Sequence, residues 1–153
     1  MRKLDLVVTG CVFNKEGQLL LCLHKKLKMW LPIGGHIEKN ETPDDALLRE
    51  IFEETGLKVR ILGGANIFSG GNIVKELATP FHVNVHNVGD HDHCSFFYVC
   101  EALDEEKLKA NQAEVEDLKW FSMEELTQEK IKPEIRNLAF RTHGIWRAES
   151  LYI

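Results

Sequence analysis

The chain has 153 residues, 44% hydrophobic and 28% charged, enough for one well-buried core and too few for two ordinary domains. We therefore expect a single domain over residues 1–153. A formal net charge of -5 and a pI near 5.8 argue against a reader of nucleic-acid backbones, although metal ions can still draw a small polyphosphate to an acidic protein.

In chain order, residues 4–13 and 18–24 read as two apolar strands of a hairpin, joined by a turn at Asn14-Lys15-Glu16-Gly17. Basic residues open the chain, but Asp5 interrupts the apolar run and the turn follows at once, so neither a signal peptide nor a membrane span is expected. Trp30 to Ile33 runs into Gly34-Gly35. A helix follows, with Thr42 a good N-cap, Pro43 at the first helical position, Asp44 and Asp45 at the positive end of the dipole, and Gly56 as the stop. On its wheel Leu47, Leu48, Ile51, Phe52 and Thr55 share one broad face, predicted to be core. Lys58 to Phe68 reads as the next strand, 81–88 and 94–102 as a strand pair around Gly89-Asp90, and Leu118 to Phe121 as a last short strand. Ile131, Ile135, Leu138, Thr142 and Ile145 recur at helical spacing and predict an amphipathic C-terminal helix covering the sheet. The fold class is a mixed α/β or α+β sandwich.

Cys11, Cys22, Cys94 and Cys100 show no C-x-x-C spacing and lie in apolar segments, as reduced core cysteines do; the expected compartment is the cytoplasm. The apolar tail Leu151-Tyr152-Ile153 is a candidate homodimer contact.

The chemistry concentrates on the predicted helix. Glu50, Glu53 and Glu54 stand at offsets 0, +3 and +4, within an arc of roughly 100° and with Cβ atoms about 5–6 Å apart. Like charges so placed repel, so either some hold protons or a divalent cation neutralises them, and carboxylate oxygens suit Mg²⁺ or Mn²⁺. Taken alone, such a run reads first as a solvated acidic face with no role, because surface helices are rich in Glu. Arg49 cannot ligate, but its guanidinium can brace a carboxylate, with Glu53 at i+4 and the more distant Glu41 as candidates. Gly34 and Gly35 suit a loop whose backbone approaches metal or substrate closely, and the Gly34 carbonyl is a candidate extra ligand.

Gly35, five residues, Glu41, seven residues, Arg49-Glu50, Ile51, one residue, Glu53-Glu54, one residue, Gly56-Leu57: this spacing resembles the complete signature box of the Nudix hydrolases. Only Pro32-Ile33-Gly34-Gly35 departs from the Pro-Gly-Gly that commonly precedes the box. The resemblance implies a Nudix-type α/β/α sandwich with a mixed central sheet, the box forming strand, loop and helix. It implies that Glu50, Glu53 and Glu54 ligate Mg²⁺, with Mn²⁺ as substitute and one glutamate a candidate base, and that Arg49 positions them. The implied reaction is hydrolysis of a diphosphate linkage by metal-activated water, in a nucleoside diphosphate linked to another group, foremost a nucleoside triphosphate or nucleotide derivative. The partner is then a small nucleotide or polyphosphate, with no nucleic acid and no membrane. A non-catalytic nucleotide-sensing module on the same fold is the second reading; the intact carboxylate trio favours the enzyme.

Outside the box the signals are weaker. Nudix enzymes commonly recruit another acidic residue near a late strand, and Glu114 and Glu116 precede Leu118 in a segment like that one; Glu114 is preferred. His36, beside Gly35, is a candidate phosphate contact, and Trp30 either stacks on a base or belongs to core or rim. His82, His86, His91 and His93 read as sheet or pocket histidines, with His91 and His93 candidate substrate contacts and a structural zinc site as the alternative. No S-Q-P-W stretch of the NADH pyrophosphatase kind is present. Asn72 to Lys75 lack the proline or tyrosine of ADP-ribose and dinucleoside polyphosphate hydrolases. The segment from Gly63 to Gly89 is expected to line the selectivity pocket without naming its ligand.

Overall fold

A computed structural model describes residues 2–64, 70–128 and 130–151. Eight strands share one sheet: β1 (Leu4–Phe13), β2 (Leu19–His24), β3 (Trp30–Leu31), β4 (Ile33–His36), β5 (Val59–Ile61), β6 (His82–Asn87), β7 (Asp92–Ala102) and β8 (Val115–Phe121). Helix α1 (Pro43–Thr55) follows β4, and α2 (Pro133–Ser150) closes the chain.

The long strands β1 and β7 run parallel from Leu4↔Asp92 to Phe13↔Glu101 and form the spine. On one flank β1 pairs antiparallel first with β4 and then, at Phe13↔Leu19, with β2; on the other flank β7 pairs antiparallel with β6 and then β5. The sheet is therefore mixed. Parallel strands require cover on both faces, and here Val8 and Val12 of β1 join Leu47 and Ile51 of α1 in one core, while Cys11 and Phe13 join Ile135 and Ala139 of α2 in the other. This double burial explains why β1 and β2 are apolar without alternation.

Several boundaries shift. The strand expected over Lys58–Phe68 spans Val59–Ile61 and gives way at Gly63-Gly64; the stretch from Ala65 to Phe68 lies outside the described residues. The last strand begins at Val115, ahead of Leu118, because β8 is an outer strand paired, among the described residues, with β2 alone, so its exposed Glu116 and Asp117 carry no apolar signal. The wheel of α1 was too generous: Leu47, Ile51 and Thr55 are buried with Ala46, whereas Leu48 (40%) and Phe52 (55%) are exposed, since the helix touches the sheet along one stripe. All four cysteines are free, three buried and Cys94 half-buried. Leu151 is exposed, and Tyr152 and Ile153, the rest of the expected dimer contact, lie outside the described residues. Among the described residues no helix is long and apolar enough to cross a membrane.

Candidate active site

The local sequence sets the helix in place. Thr42 Oγ1 accepts the Asp45 amide at 3.2 Å, Pro43 opens the helix, and Gly56 ends it at φ 73°, donating its amide to the Phe52 carbonyl at 2.8 Å. Strand β4 runs against β1 with Gly34 opposite Thr9 and Gly35 opposite Val8. Neither glycine has room for a side chain: a Cβ on Gly34 would overlap the Val8 carbonyl oxygen, and one on Gly35 would overlap the Glu50 carboxylate.

Arg49 organises the acids. It grips Glu41 with two nitrogens, Nε to Oε1 at 2.8 Å and Nη2 to Oε2 at 3.0 Å, and its Nη1 donates to Glu50 Oε1 at 2.9 Å and Glu53 Oε2 at 3.3 Å. Its Nη2 also donates to the His36 carbonyl at 3.0 Å, tying the helix to the end of β4. Of the two partners expected, Glu41 takes the fork and Glu53 a longer contact; the bond to Glu50 was not anticipated. The Arg49 hydrogen bond holds the Glu41 carboxyl below the usual carboxylate range, and Glu41 in turn raises the guanidinium above its own.

The trio itself is frustrated. Burial, reinforced by the Glu50 charge, pushes the Glu54 carboxyl up to about 8, and burial raises Glu50 as well. Glu54 Oε2 is buried with no hydrogen-bond partner. An orphaned carboxylate oxygen is costly unless a cation meets it, so Glu50, Glu53 and Glu54 fit an oxygen-seeking divalent metal.

Of the trio, Glu54 borders a cavity of about 340 Å³ whose lining also includes Gly34, Gly35, Glu114, His36 and His93. Glu114 lines the same cavity as Glu54, and its charge adds to the rise of the Glu54 carboxyl, whereas Glu116 is not part of that lining and pairs with Lys28 at 2.6 Å. A second cavity of about 530 Å³ shares Leu31 and His86 with the first and is walled by Phe81, Phe97, Leu138 and Arg141, so an acidic end continues into an aromatic one. His82 borders this second cavity, which draws on the 63–89 segment and on α2 alike. Trp30 borders neither cavity; half-buried, it packs edge-on against Phe121, ring centroids 5.0 Å apart, at the rim of the core. His91 lies one step behind His93, their Nε2 atoms 3.0 Å apart, and burial together with the neighbouring histidines His36, His91 and His86 holds His93 below the usual imidazole range.

Sequence reasoning missed two features. Asp5, noted only as an interruption of an apolar run, stands 3.5 Å from His36 Nε2 and 3.4 Å from His91 Nε2. Thr9 and Ser95, bonded to each other at 3.1 Å, also line the first cavity. The only signal was strand parity: residues 5, 7 and 9 share a face with 93, 95 and 97 once β1 and β7 are known to pair in parallel, and His91 immediately precedes β7.

The family model of the NUDIX domain matches residues 3–141. A hydrolase of the NUDIX family from Clostridium perfringens superposes with a TM-score of 0.81 at 32% identity, covering 93% of this chain and 97% of that one. Nudix hydrolase 19, chloroplastic, of Arabidopsis thaliana is 27% identical over 161 residues, covering 97% of this chain and 33% of that protein. A probable DHNTP pyrophosphohydrolase of Lactococcus lactis subsp. cremoris is 31% identical over 121 residues, 79% of this chain and 64% of that protein. The chain thus spans about a third of the Arabidopsis protein and just under two thirds of the Lactococcus one. With a match over nearly its whole length and a close structural counterpart of similar size, the chain belongs to the Nudix hydrolase family.

Proposed function

We propose that the chain hydrolyses a diphosphate linkage in a nucleotide derivative, foremost a nucleoside triphosphate, in a reaction that depends on Mg²⁺ with Mn²⁺ as substitute. The observation that carries this is the buried, unpartnered Glu54 Oε2 among carboxyls raised by burial and by one another, an arrangement relieved by a divalent cation. Glu50, Glu53 and Glu54 would hold the metal, with the Gly34 carbonyl as a further candidate ligand. When bound, the metal supplies an acidified water and neutralises phosphoryl oxygens. Arg49, anchored by Glu41, keeps the trio in register with the His36 end of β4. Glu114, which lines the same cavity as Glu54, is the residue we assign to take a proton from water there. His36 and His93 border the phosphate end of the cleft, and Phe81 and Phe97 border the end suited to a base.

A nucleotide-sensing module has no need of an orphaned buried carboxylate, so catalysis is the better reading. The name of the Lactococcus relative, a probable DHNTP pyrophosphohydrolase, supports a small-molecule substrate, as does the acidic net charge. We also take residues 1–153 as one domain, since one sheet gathers all eight strands, and place the protein in the cytoplasm, where its four free cysteines stay reduced.

A screen of nucleotides, nucleotide sugars, dinucleotides and inositol polyphosphates with and without Mg²⁺, read by product mass in ¹⁸O-water, identifies the substrate and the phosphorus attacked. Metal-dependent cleavage of a diphosphate bond is the expected result. Binding of a nucleotide without turnover under any divalent metal would establish the sensor instead.

A further inference from the structure

We propose that Asp5, His36, His91 and His93 form a second metal site, for a divalent transition ion of the Zn²⁺ class, separate from the carboxylates of α1. One donor atom from each of the four lies within 4.8 Å of the other three. Three elements deliver them to one face of the sheet: β1 and β7 pair Asp5 with His93, β1 and β4 pair Val7 with His36, and His91 shares the parity of His93.

The spacings suit a tetrahedral ion. Bonds of about 2.0–2.1 Å imply donor-to-donor edges of roughly 3.3–3.4 Å. Asp5 Oδ2 lies 3.5 Å from His36 Nε2 and 3.4 Å from His91 Nε2, and His91 Nε2 lies 3.0 Å from His93 Nε2. Three of the six edges thus lie near the tetrahedral value, and all six lie within 4.8 Å.

The hydrogen bond behind His91 fixes its tautomer. Its Nδ1 lies 2.6 Å from the Asp90 carboxylate, which can only accept, so Nδ1 carries the proton and Nε2 turns its lone pair inward. A carboxylate behind a ligating imidazole is the usual outer support of such a ligand. The proton between the two Nε2 atoms then belongs to a neutral His93, which ligates an ion through Nε2 by changing tautomer, giving up the proton at Nε2 and taking one at Nδ1 with no net release.

Chemistry separates this site from the carboxylate trio. Imidazole nitrogen suits Zn²⁺, Co²⁺ and Ni²⁺, whereas Mg²⁺ prefers oxygen, so the two sites sort their metals by donor type. Three histidines alone would suit an anion once protonated. Asp5, aimed into their midst, opposes that and adds the negative charge a cation wants. Lys3 Nζ contacts Asp5 Oδ2 at 3.0 Å, but its side chain is 73% exposed and free to swing away. His86 lies near, its ring 5.6 Å from that of His93, but is not one of the four, and His82 is further removed, so the quartet differs from the histidine group seen in the sequence. His36 and His93 also line the cavity bordered by Glu54, so an ion here would stand at the wall of the substrate cleft.

The test uses the full chain without a histidine tag, stripped by chelator and titrated with Zn²⁺ by calorimetry in excess Mg²⁺. One equivalent of Zn²⁺ is expected to bind, with strong visible absorption when Co²⁺ replaces it. Removing an outer support by Asp90→Ala should weaken Zn²⁺ about 10-fold, and removing a ligand by His91→Gln or Asp5→Asn roughly 100-fold or more, with Glu53→Gln unchanged. Asp90→Ala alters a side chain that is 91% exposed, and circular dichroism checks folding of each variant. Absence of Zn²⁺ binding would overturn the proposal. So would Zn²⁺ binding lost in Glu53→Gln and kept in His91→Gln, or inorganic pyrophosphate bound through His91 with no metal uptake. The titration contains no substrate, so its failure leaves hydrolysis at the carboxylate trio standing.

Discussion

Glu50 rests its carboxylate on Gly35, with Cδ and both oxygens filling the space a Cβ there would occupy. Gly35→Ala should therefore displace a metal ligand while the fold survives, because the obstructed atoms belong to the end of a flexible side chain. Turnover is expected to fall about 100-fold with little change in Tm. Gly34→Ala differs, since its Cβ would meet the Val8 carbonyl of β1, and the strand pairing itself must give. A loss of about 1–3 kcal/mol in denaturant unfolding is expected there; equal stability of the two variants would contradict this distinction.

The pH dependence of the metal-free protein follows from Glu54. Its carboxyl sits near 8 when folded, against an ordinary value of 4.5, and Glu50 is raised in the same direction. Between these values the folded state holds a proton that the unfolded state has lost, so stability falls as pH rises from about 4.5 to 8. Chelator-treated protein should lose Tm across this window, and added Mg²⁺ should restore more of it at pH 8 than at pH 5. A Mg²⁺ effect that shrinks as pH rises would show that the ion does not bind these carboxylates.

Arg49→Lys keeps the charge but loses the fork on Glu41 and the simultaneous reach to Glu50, Glu53 and the His36 carbonyl. We expect kcat to drop roughly 10- to 100-fold with weaker Mg²⁺ affinity and a retained fold. Full activity in the lysine variant would reduce Arg49 to a surface ion pair.

Glu114 and Glu116 offer a paired comparison. Glu114 borders the cavity with Glu54, and Glu116 is engaged by Lys28 outside it. Glu114→Gln should lower kcat by about 100-fold, while Glu116→Gln stays near wild type. The reverse ranking would reassign the acid.

The helix α1 was legible because its signals are local: Thr42, Pro43 and Gly56 mark its ends within a few residues, and Glu50, Glu53 and Glu54 share a face by periodicity alone. Strands β1 and β2 were legible because burial on both faces leaves them apolar throughout. The rest depended on pairings between distant segments. Asp5 meets His91 and His93 only because β1 and β7 run parallel, and a shift of one residue in that register would turn them to opposite faces. Leu48 and Phe52 looked like core because periodicity gives an arc but not how much of it the sheet covers. Trp30 stayed open between stacking and packing because an aromatic near a glycine loop carries no mark of the Phe121 ring it packs against.

The most direct measurement is Mg²⁺-dependent turnover of Glu53→Gln and Glu54→Gln beside the wild type on the substrate found by screening. Glu54→Gln removes the buried charge without changing shape, so its metal-free stability should hold or improve while turnover falls roughly 100-fold or more, with a similar loss in Glu53→Gln. Near-normal turnover in both variants, with folding intact, would contradict a catalytic metal held by these glutamates.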